Sequence, residues 1–489
     1  MILAIDQGTT GTRVLLVDET GDVVRSAYRE ITQHYPQPGW VEHDAEEIWA
    51  TVVDCAGEVL GGREATATQL AAVGITNQRE TFVLWDRQTL KPVAPAIVWQ
   101  CRRSADICRG LKEEGREPMV RDRTGLLLDP YFSGTKLRWL LESDAEIRRR
   151  AHAGDLAFGT IDTWLVARLT GGREHVTEPG NASRTMLFNI RTLEWDPELC
   201  AMLGVPVGVL PEVRDSSGDL GRTNPDVFHG LDLAIGGVAG DQQAALFGQA
   251  CFSPGMCKNT YGTGSFVLLN TGGDVPSSKS GMLATVGWRM RGDVSYALEG
   301  AIFITGAALQ WLRDGLGLIN AAAEAGVIAA AHTDTGGVHL VPAFVGLGAP
   351  YWEPGARGLI TGITQGTSRE DVVRAAVESM ALQTADVVEA MANDALPPSE
   401  LRVDGGASVM DALLQLQADL IDISVVRSSS AETTAIGAAF LAGLATGVWG
   451  DTDEVSATWR ESGRFQPSMA LEERRRRLDA WHDAVRRAL

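Results

Sequence analysis

The chain has 489 residues, 45% of them hydrophobic and 22% charged, which allows two to four ordinary domains and excludes disordered, collagenous and coiled-coil classes. Lys and Arg number 43 against 63 Asp and Glu, a net charge of −20. That balance repels nucleic acid and anionic membrane, so a phosphate-bearing ligand would need local arginines and a metal ion.

The start, Met1-Ile2-Leu3-Ala4-Ile5, meets Asp6 too soon for an export signal. The first eighty residues read β-β-β-α-β. Strand Ile2–Ile5 leads through a Gly/Thr turn (Asp6 to Arg13) to strand Val14–Val17, and a turn at Glu19–Asp22 leads to a third strand through Val23 and Val24. Asp44 predicts the cap of a helix to about Leu60, with Ile48, Val52, Cys55 and Val59 on one face. Strand Ala71–Ile75 then delivers Thr76-Asn77-Gln78-Arg79-Glu80 at its carboxyl end.

The second half begins in the same way. Asn259-Thr260-Tyr261-Gly262-Thr263-Gly264-Ser265 reads as a Gly/Thr turn before strand Phe266–Leu269. A capping box at Thr367 and Glu370 predicts a helix burying Val373, Val377, Met380, Val387 and Met391. Strand Leu401–Val403 follows. The uncharged stretch Ala435–Trp449 is shorter than the ~20 residues a bilayer needs and carries Gly437, Gly443 and Gly447, so it reads as a buried helix. The expected architecture is two related α/β domains, divided near residue 248, with a cleft between them. The six cysteines show no C-x-x-C pair, as expected of a reduced cytoplasmic protein without structural zinc.

A Gly/Thr turn after a strand suits phosphate, because glycine lets backbone N–H groups approach and threonine adds neutral donors. Each turn alone is also an ordinary hairpin; the duplicate in the matching place of the other half favours phosphate. Arg13 supplies a local cation, and Asp6 fits such a site only through a hydrated Mg²⁺. P-loop and protein-kinase motifs are absent from the sequence. Asp241 follows an apolar run at a strand-to-helix junction, where it is either an N-cap or an ionised carboxylate able to take a proton from an alcohol. Arg79 beside Glu80 offers a donor fork next to an acceptor, which suits a small polyol, or else forms a surface ion pair. Trp99, Tyr131 and Phe266 could wall that site.

Together these residues carry a resemblance. Asp6-Gln7-Gly8-Thr9-Thr10, Gly74 to Thr81, Ala96 to Arg103, Asn181 to Asn189, Gly240 to Gln249 and Asn259 to Gly264 resemble the glycerol kinases of the FGGY carbohydrate kinase family, over residues 2 to about 450. The resemblance implies two actin-like (ribonuclease H-like) domains, 1–248 and 249–489, with ATP and substrate in the cleft. It implies ATP-dependent phosphorylation of glycerol to sn-glycerol 3-phosphate, the first step of glycerol catabolism. It also implies a cytoplasmic homodimer or homotetramer, with no nucleic acid partner and no stable membrane insertion.

By the same resemblance Arg79, Glu80, Trp99, Tyr131, Asp241, Gln242 and Phe266 hold glycerol, with Asp241 as general base. Thr9, Thr10, Gly11, Arg13, Thr263, Gly306, Gln310 and Gly406 hold the nucleotide, and Asp6 holds hydrated Mg²⁺. Met410 occupies a nucleotide-site position where relatives often have asparagine. Truncating Arg79 is expected mainly to weaken glycerol binding, by roughly 1.5–3 kcal/mol. Segment 223–232 has one glycine, Gly230, and two acids, Asp226 and Asp232, so insensitivity to fructose 1,6-bisphosphate is expected. His229 lies in a region where some Gram-positive members carry a phosphorylated histidine; an ordinary loop histidine is the alternative. Two rival readings are a family kinase of another polyol or sugar, such as xylulose or gluconate, and a non-enzymatic actin-like ATP-binding protein.

Overall fold

The computed structural model describes residues 1–61 and 69–489. In the first half, strands β1 (Ile2–Gln7), β2 (Gly11–Val17), β3 (Val23–Glu30), β4 (Ala72–Asn77) and β5 (Ala234–Gly240) form one sheet in the order β5-β4-β1-β2-β3. β2 is antiparallel to β1 and β3, whereas β4 runs parallel to β1 and β5. Helix α1 (Ala45–Leu60) is capped by Asp44, which accepts the Glu46 N–H, and it buries Ile48, Val52, Cys55 and Val59 as expected.

The second half repeats this topology. Strands β6 (Met256–Tyr261), β7 (Ser265–Gly272), β8 (Leu283–Met290), β9 (Asp293–Ile302), β10 (Glu400–Gly405), β11 (Val425–Ser428) and β12 (Glu461–Phe465) are ordered β8-β9-β7-β6-β10-β11-β12. Within it β9-β7-β6-β10-β11 matches β3-β2-β1-β4-β5 in order and in the sense of every pairing. The two actin-like α/β halves are therefore present. Both Gly/Thr turns are tighter than the sequence suggested, because pairing continues through Gln7 on one side and Tyr261 on the other.

Each half places a helix after its last parallel strand: α2 (Asp241–Gly248) follows β5 and, further on, α6 (Thr433–Thr446) follows β11. Between them come α3 (Gly306–Asp314), α4 (Arg369–Asp394) and α5 (Asp411–Ile421). The capping box of α4 lies one residue later than expected, at Ser368 and Asp371. Thr367 instead accepts the Thr364 N–H, which leaves the serine to close the box.

Helix α6 is the buried helix expected of the uncharged stretch, stopped by Gly447 in the left-handed conformation. No helix among the described residues is long and apolar enough to cross a membrane. Although α6 belongs to the second half, it lies on β1, β4 and β5 of the first and crosses α2. The close approach depends on glycines. A methyl on Gly248 would overlap the Thr433 carbonyl oxygen, one on Gly437 the Ala244 carbonyl, and one on Gly74 the Ala438 carbonyl. One apolar cluster consequently contains Ile2, Ala4, Leu15 and Phe247 together with Leu268, Ala297, Ala435 and Phe440.

Overpacking of a well-filled contact typically costs 1–3 kcal/mol. Gly437→Ala and Gly248→Ala should each lower the melting temperature by several degrees. Gly110→Ala, in an open helical position with nothing near the new methyl, should leave it unchanged or slightly raised. Thermal unfolding of the three variants checks this; equal melting temperatures would contradict the role of the crossing.

Candidate functional site

β4 ends at Asn77, and the chain then crosses to a second, four-stranded sheet through strand Phe82–Asp86. The connecting residues Gln78, Arg79, Glu80 and Thr81 are all buried. Glu80 takes a left-handed φ of 60° at the corner, which turns its side chain and that of Arg79 into the same interior. Arg79 and Glu80 are thus not a surface pair; they form a long, buried ion pair, with Nε 3.9 Å from Oε1.

The partners of Arg79 come from elsewhere. Its guanidinium grips both carboxylate oxygens of Glu299, on β9 of the second half, with Nη2 3.0 Å from Oε1. Its Nε lies 3.2 Å from Asp241 Oδ1, and Nη2 is 3.4 Å from the Tyr131 hydroxyl. Arg184 donates to Glu80 Oε1 at 2.7 Å and to Glu299 Oε1 at 2.9 Å. Two arginines and two glutamates therefore form a closed, neutral network with no member more than 2% exposed. Burial by itself pushes the Glu299 carboxyl up, but Arg184 and Arg79 outweigh it and hold the group at about 2.

The cleft side of this network carries the other expected residues. Asp241 is the first residue of α2, and Gly240, not Asp241, is the cap. Its Oδ1 accepts the Gln242 backbone N–H at 2.7 Å. Burial raises the Asp241 pKa, against the pull of Arg79 and Lys258, so the helix end does not dominate its charge state. Trp99 and Tyr131 meet edge to face at 5.5 Å, and the Phe266 ring lies 5.8 Å from the Arg79 guanidinium. Because Arg79 is built into a buried ion network, Arg79→Ala would leave Glu299 and Glu80 to share the single guanidinium of Arg184. Lost folding stability is then expected alongside the weakened binding.

The turn Gly8-Thr9-Thr10-Gly11 is closed by a Gly8 N–H to Gly11 carbonyl bond of 2.9 Å. Trp99 Nε1 donates to Thr9 Oγ1 at 2.9 Å. Indole N–H is only a donor, so the Thr9 hydroxyl proton is left free to point at a phosphate. Arg13 pairs with Glu432 at the start of α6. The second turn is braced by α3: Gly306 N–H meets the Gly262 carbonyl at 3.1 Å and Ala307 N–H the Thr263 carbonyl at 3.0 Å. Thr263, Gln310 and Gly406 are exposed. Met410 is buried, 7% exposed, and packs on Gly326.

Asp6 reaches the same cleft. Burial, Asp241 and Glu432 together push its carboxyl up to about 7, against the pull of Arg13. This excess of negative charge is what a hydrated divalent cation would relieve, so the residues present fit one.

Three residues of the site carry no sequence signal of their role or only a weak one. Arg184 lies within a matching segment but beside no obvious partner. Lys258 and Glu299 sit inside strands. A single charged residue in an apolar run, as in Ala297-Leu298-Glu299-Gly300-Ala301, is the signal that could have found the latter. Away from the cleft, Arg222 of the 223–232 region is tied to Asp232 at 2.7 Å. The His229 ring donates from Nε2 to the Val53 carbonyl at 2.8 Å and rests on Gly57. All six cysteines are unpaired and buried.

Residues 1–248 match the N-terminal domain of the FGGY family of carbohydrate kinases, and residues 257–446 match its C-terminal domain. Over its whole length the chain is 55% identical to a glycerol kinase of Carboxydothermus hydrogenoformans, covering 98% of that protein. It is 53% identical to one of Geobacillus kaustophilus, covering 99% of it. The crystal structure of Plasmodium falciparum glycerol kinase with ADP superposes with a TM-score of 0.94 at 36% identity, over 100% of this chain and 98% of that one. A xylulose kinase of Lactobacillus acidophilus shares the fold, with a TM-score of 0.88 at 20% identity over 99% and 97% of the two chains.

The folded-state pKa of Asp6 lies above its ordinary 3.8, so its ionisation opposes folding. Stability is lost as pH rises from 3.8 towards about 7 and stays lost above that. Asp6→Asn should therefore stabilise the protein free of nucleotide and divalent cation, and by more near pH 8 than near pH 5. Paired thermal unfolding curves check the sign; a gain independent of pH would contradict the electrostatic origin.

Proposed function

We propose, for a chain that belongs to the FGGY family of carbohydrate kinases, that it transfers the γ-phosphoryl group of ATP to a terminal hydroxyl of glycerol, giving sn-glycerol 3-phosphate and ADP. The observation that carries this reading is the anchored Arg79, with Glu80 and Asp241 beside it and three aromatic rings around it, next to two glycine-threonine turns. Such a site matches a short polyol, whose hydroxyls each donate and accept. The likeness to named glycerol kinases over the full length supports it further.

Phosphoryl transfer needs in-line positioning and charge neutralisation more than covalent help. Asp241 has Oδ1 engaged by Arg79 and the Gln242 amide, which leaves Oδ2 to accept the proton of the attacking hydroxyl. Its raised pKa brings it nearer to the alcohol's demand. Thr9, Thr10, Gly11 and Arg13 would meet the phosphates from one side and Thr263 from the other, with Gly306, Gln310, Gly406 and the Met410 edge toward the adenosine. Arg13 must then exchange Glu432 for phosphate oxygens. Asp6 would hold Mg²⁺ through water, and the cation supplies neutralisation of the phosphate charge. The division at 248/249, a cytoplasmic setting and a homodimer or homotetramer belong to the same reading.

A coupled assay for ADP, run with glycerol against xylulose, gluconate and hexoses, tests the assignment. Glycerol should be the fastest substrate; a sugar turned over equally fast would overturn it. Asp241→Asn should lower turnover by roughly 10²–10⁴-fold while nucleotide binding persists, whereas near-full turnover would reduce Asp241 to a structural carboxylate. Fructose 1,6-bisphosphate should not inhibit. The 223–232 segment has Arg222 at its edge, already paired to Asp232, and too few glycines for an amide-rich anion loop; saturable inhibition at low salt would contradict this.

A further inference from the structure

Lys258 is fully buried on β6, and nothing in the phosphoryl-transfer scheme above uses it. Its Nζ donates to the Gln242 side-chain oxygen Oε1 and, at 3.0 Å, to Thr260 Oγ1. An ammonium group has donors only, so whatever it meets must accept. An amide that could otherwise lie either way round is thereby fixed: Gln242 Oε1 faces Lys258, and Nε2 is turned away from it. The Gln242 backbone N–H is bonded to Asp241 Oδ1 at 2.7 Å, so the amide lies beside the carboxylate, with Nε2 the end left free of Lys258. The reversed amide would turn its N–H donors on the Lys258 ammonium, which offers no acceptor.

We infer that Lys258 is a positioning residue that makes Gln242 an obligate donor toward the substrate. A hydroxyl seated on Gln242 Nε2 must accept there, so its own proton is directed to an acceptor, and the acceptor beside it is Asp241. Lys258 thus sorts the hydrogen bonds of the polyol without touching it. The inference rests on the reading of Asp241 and Gln242 as the glycerol site.

The test is a double-mutant cycle of Lys258→Met and Gln242→Leu, with the KM for glycerol, the KM for ATP and kcat measured for each form. Each single variant should raise the glycerol KM roughly tenfold, the scale of one hydrogen bond to a charged or fixed partner. The double variant should be no worse than Gln242→Leu alone, because Lys258 acts through that side chain. The ATP KM should stay within about twofold. Multiplying effects, or glycerol and ATP constants that rise together, would mean that Lys258 only balances buried charge and would overturn the inference. Gln242→Glu covers the case in which Lys258→Met does not fold. It still accepts from Lys258 but has no N–H, so its glycerol KM should rise at least as far as that of Gln242→Leu; a wild-type value would overturn the inference. Failure of the wild type to phosphorylate glycerol would overturn the substrate reading and this inference with it.

Discussion

Glu299 is the point on which the site turns. It sits on β9 of the second half, fully buried, and both arginines of the first half close on it. Isolated buried charges cost several kcal/mol each, so neither Arg79 nor Arg184 could lie where it does without this carboxylate and Glu80. The network joins the two halves at the floor of the cleft, as the glycine-lined crossing of α2 and α6 joins them in the core. A side chain gripped on both of its terminal nitrogens has little rotamer freedom left. Arg79 Nε is thereby held 3.2 Å from Asp241, so the carboxylate proposed as base is oriented by the network.

The chain's −20 charge makes phosphate binding a local problem, and each solution uses a group already committed elsewhere. Trp99 holds Thr9 so that the hydroxyl proton remains available. Arg13 is held by Glu432 at the start of α6. Asp6 lies among carboxylates that only a cation would make comfortable. On the proposed reading the nucleotide would take over contacts that other residues now make, at the place where strain is expected to concentrate.

Much of this was legible in the sequence because it is local. Asp44 before an apolar-periodic run, the Gly/Thr hairpins and their duplication half a chain apart follow from turn and capping chemistry. What was not legible is long-range. That Arg79 points inward depends on Glu299, 220 residues away, and no spacing rule connects them. Asp241 read more readily as a cap than as a base, and what sequence could not show is that Gly240 is the cap and that Arg79 Nε approaches Asp241. The box at Thr367 was displaced by one residue because Ser368 and Asp371 carry the same spacing, and local pattern cannot rank two overlapping boxes.

The claim that the Glu299 network fixes Arg79 for the polyol is tested most directly by titrating glycerol into Glu299→Gln in a calorimeter, with ADP titrated into the same protein. The account predicts a variant less stable than the wild type whose folded form binds glycerol roughly tenfold or more weakly, as a charge-assisted anchor is lost, while ADP affinity is unchanged. A folded variant that binds glycerol as tightly as the wild type would contradict it.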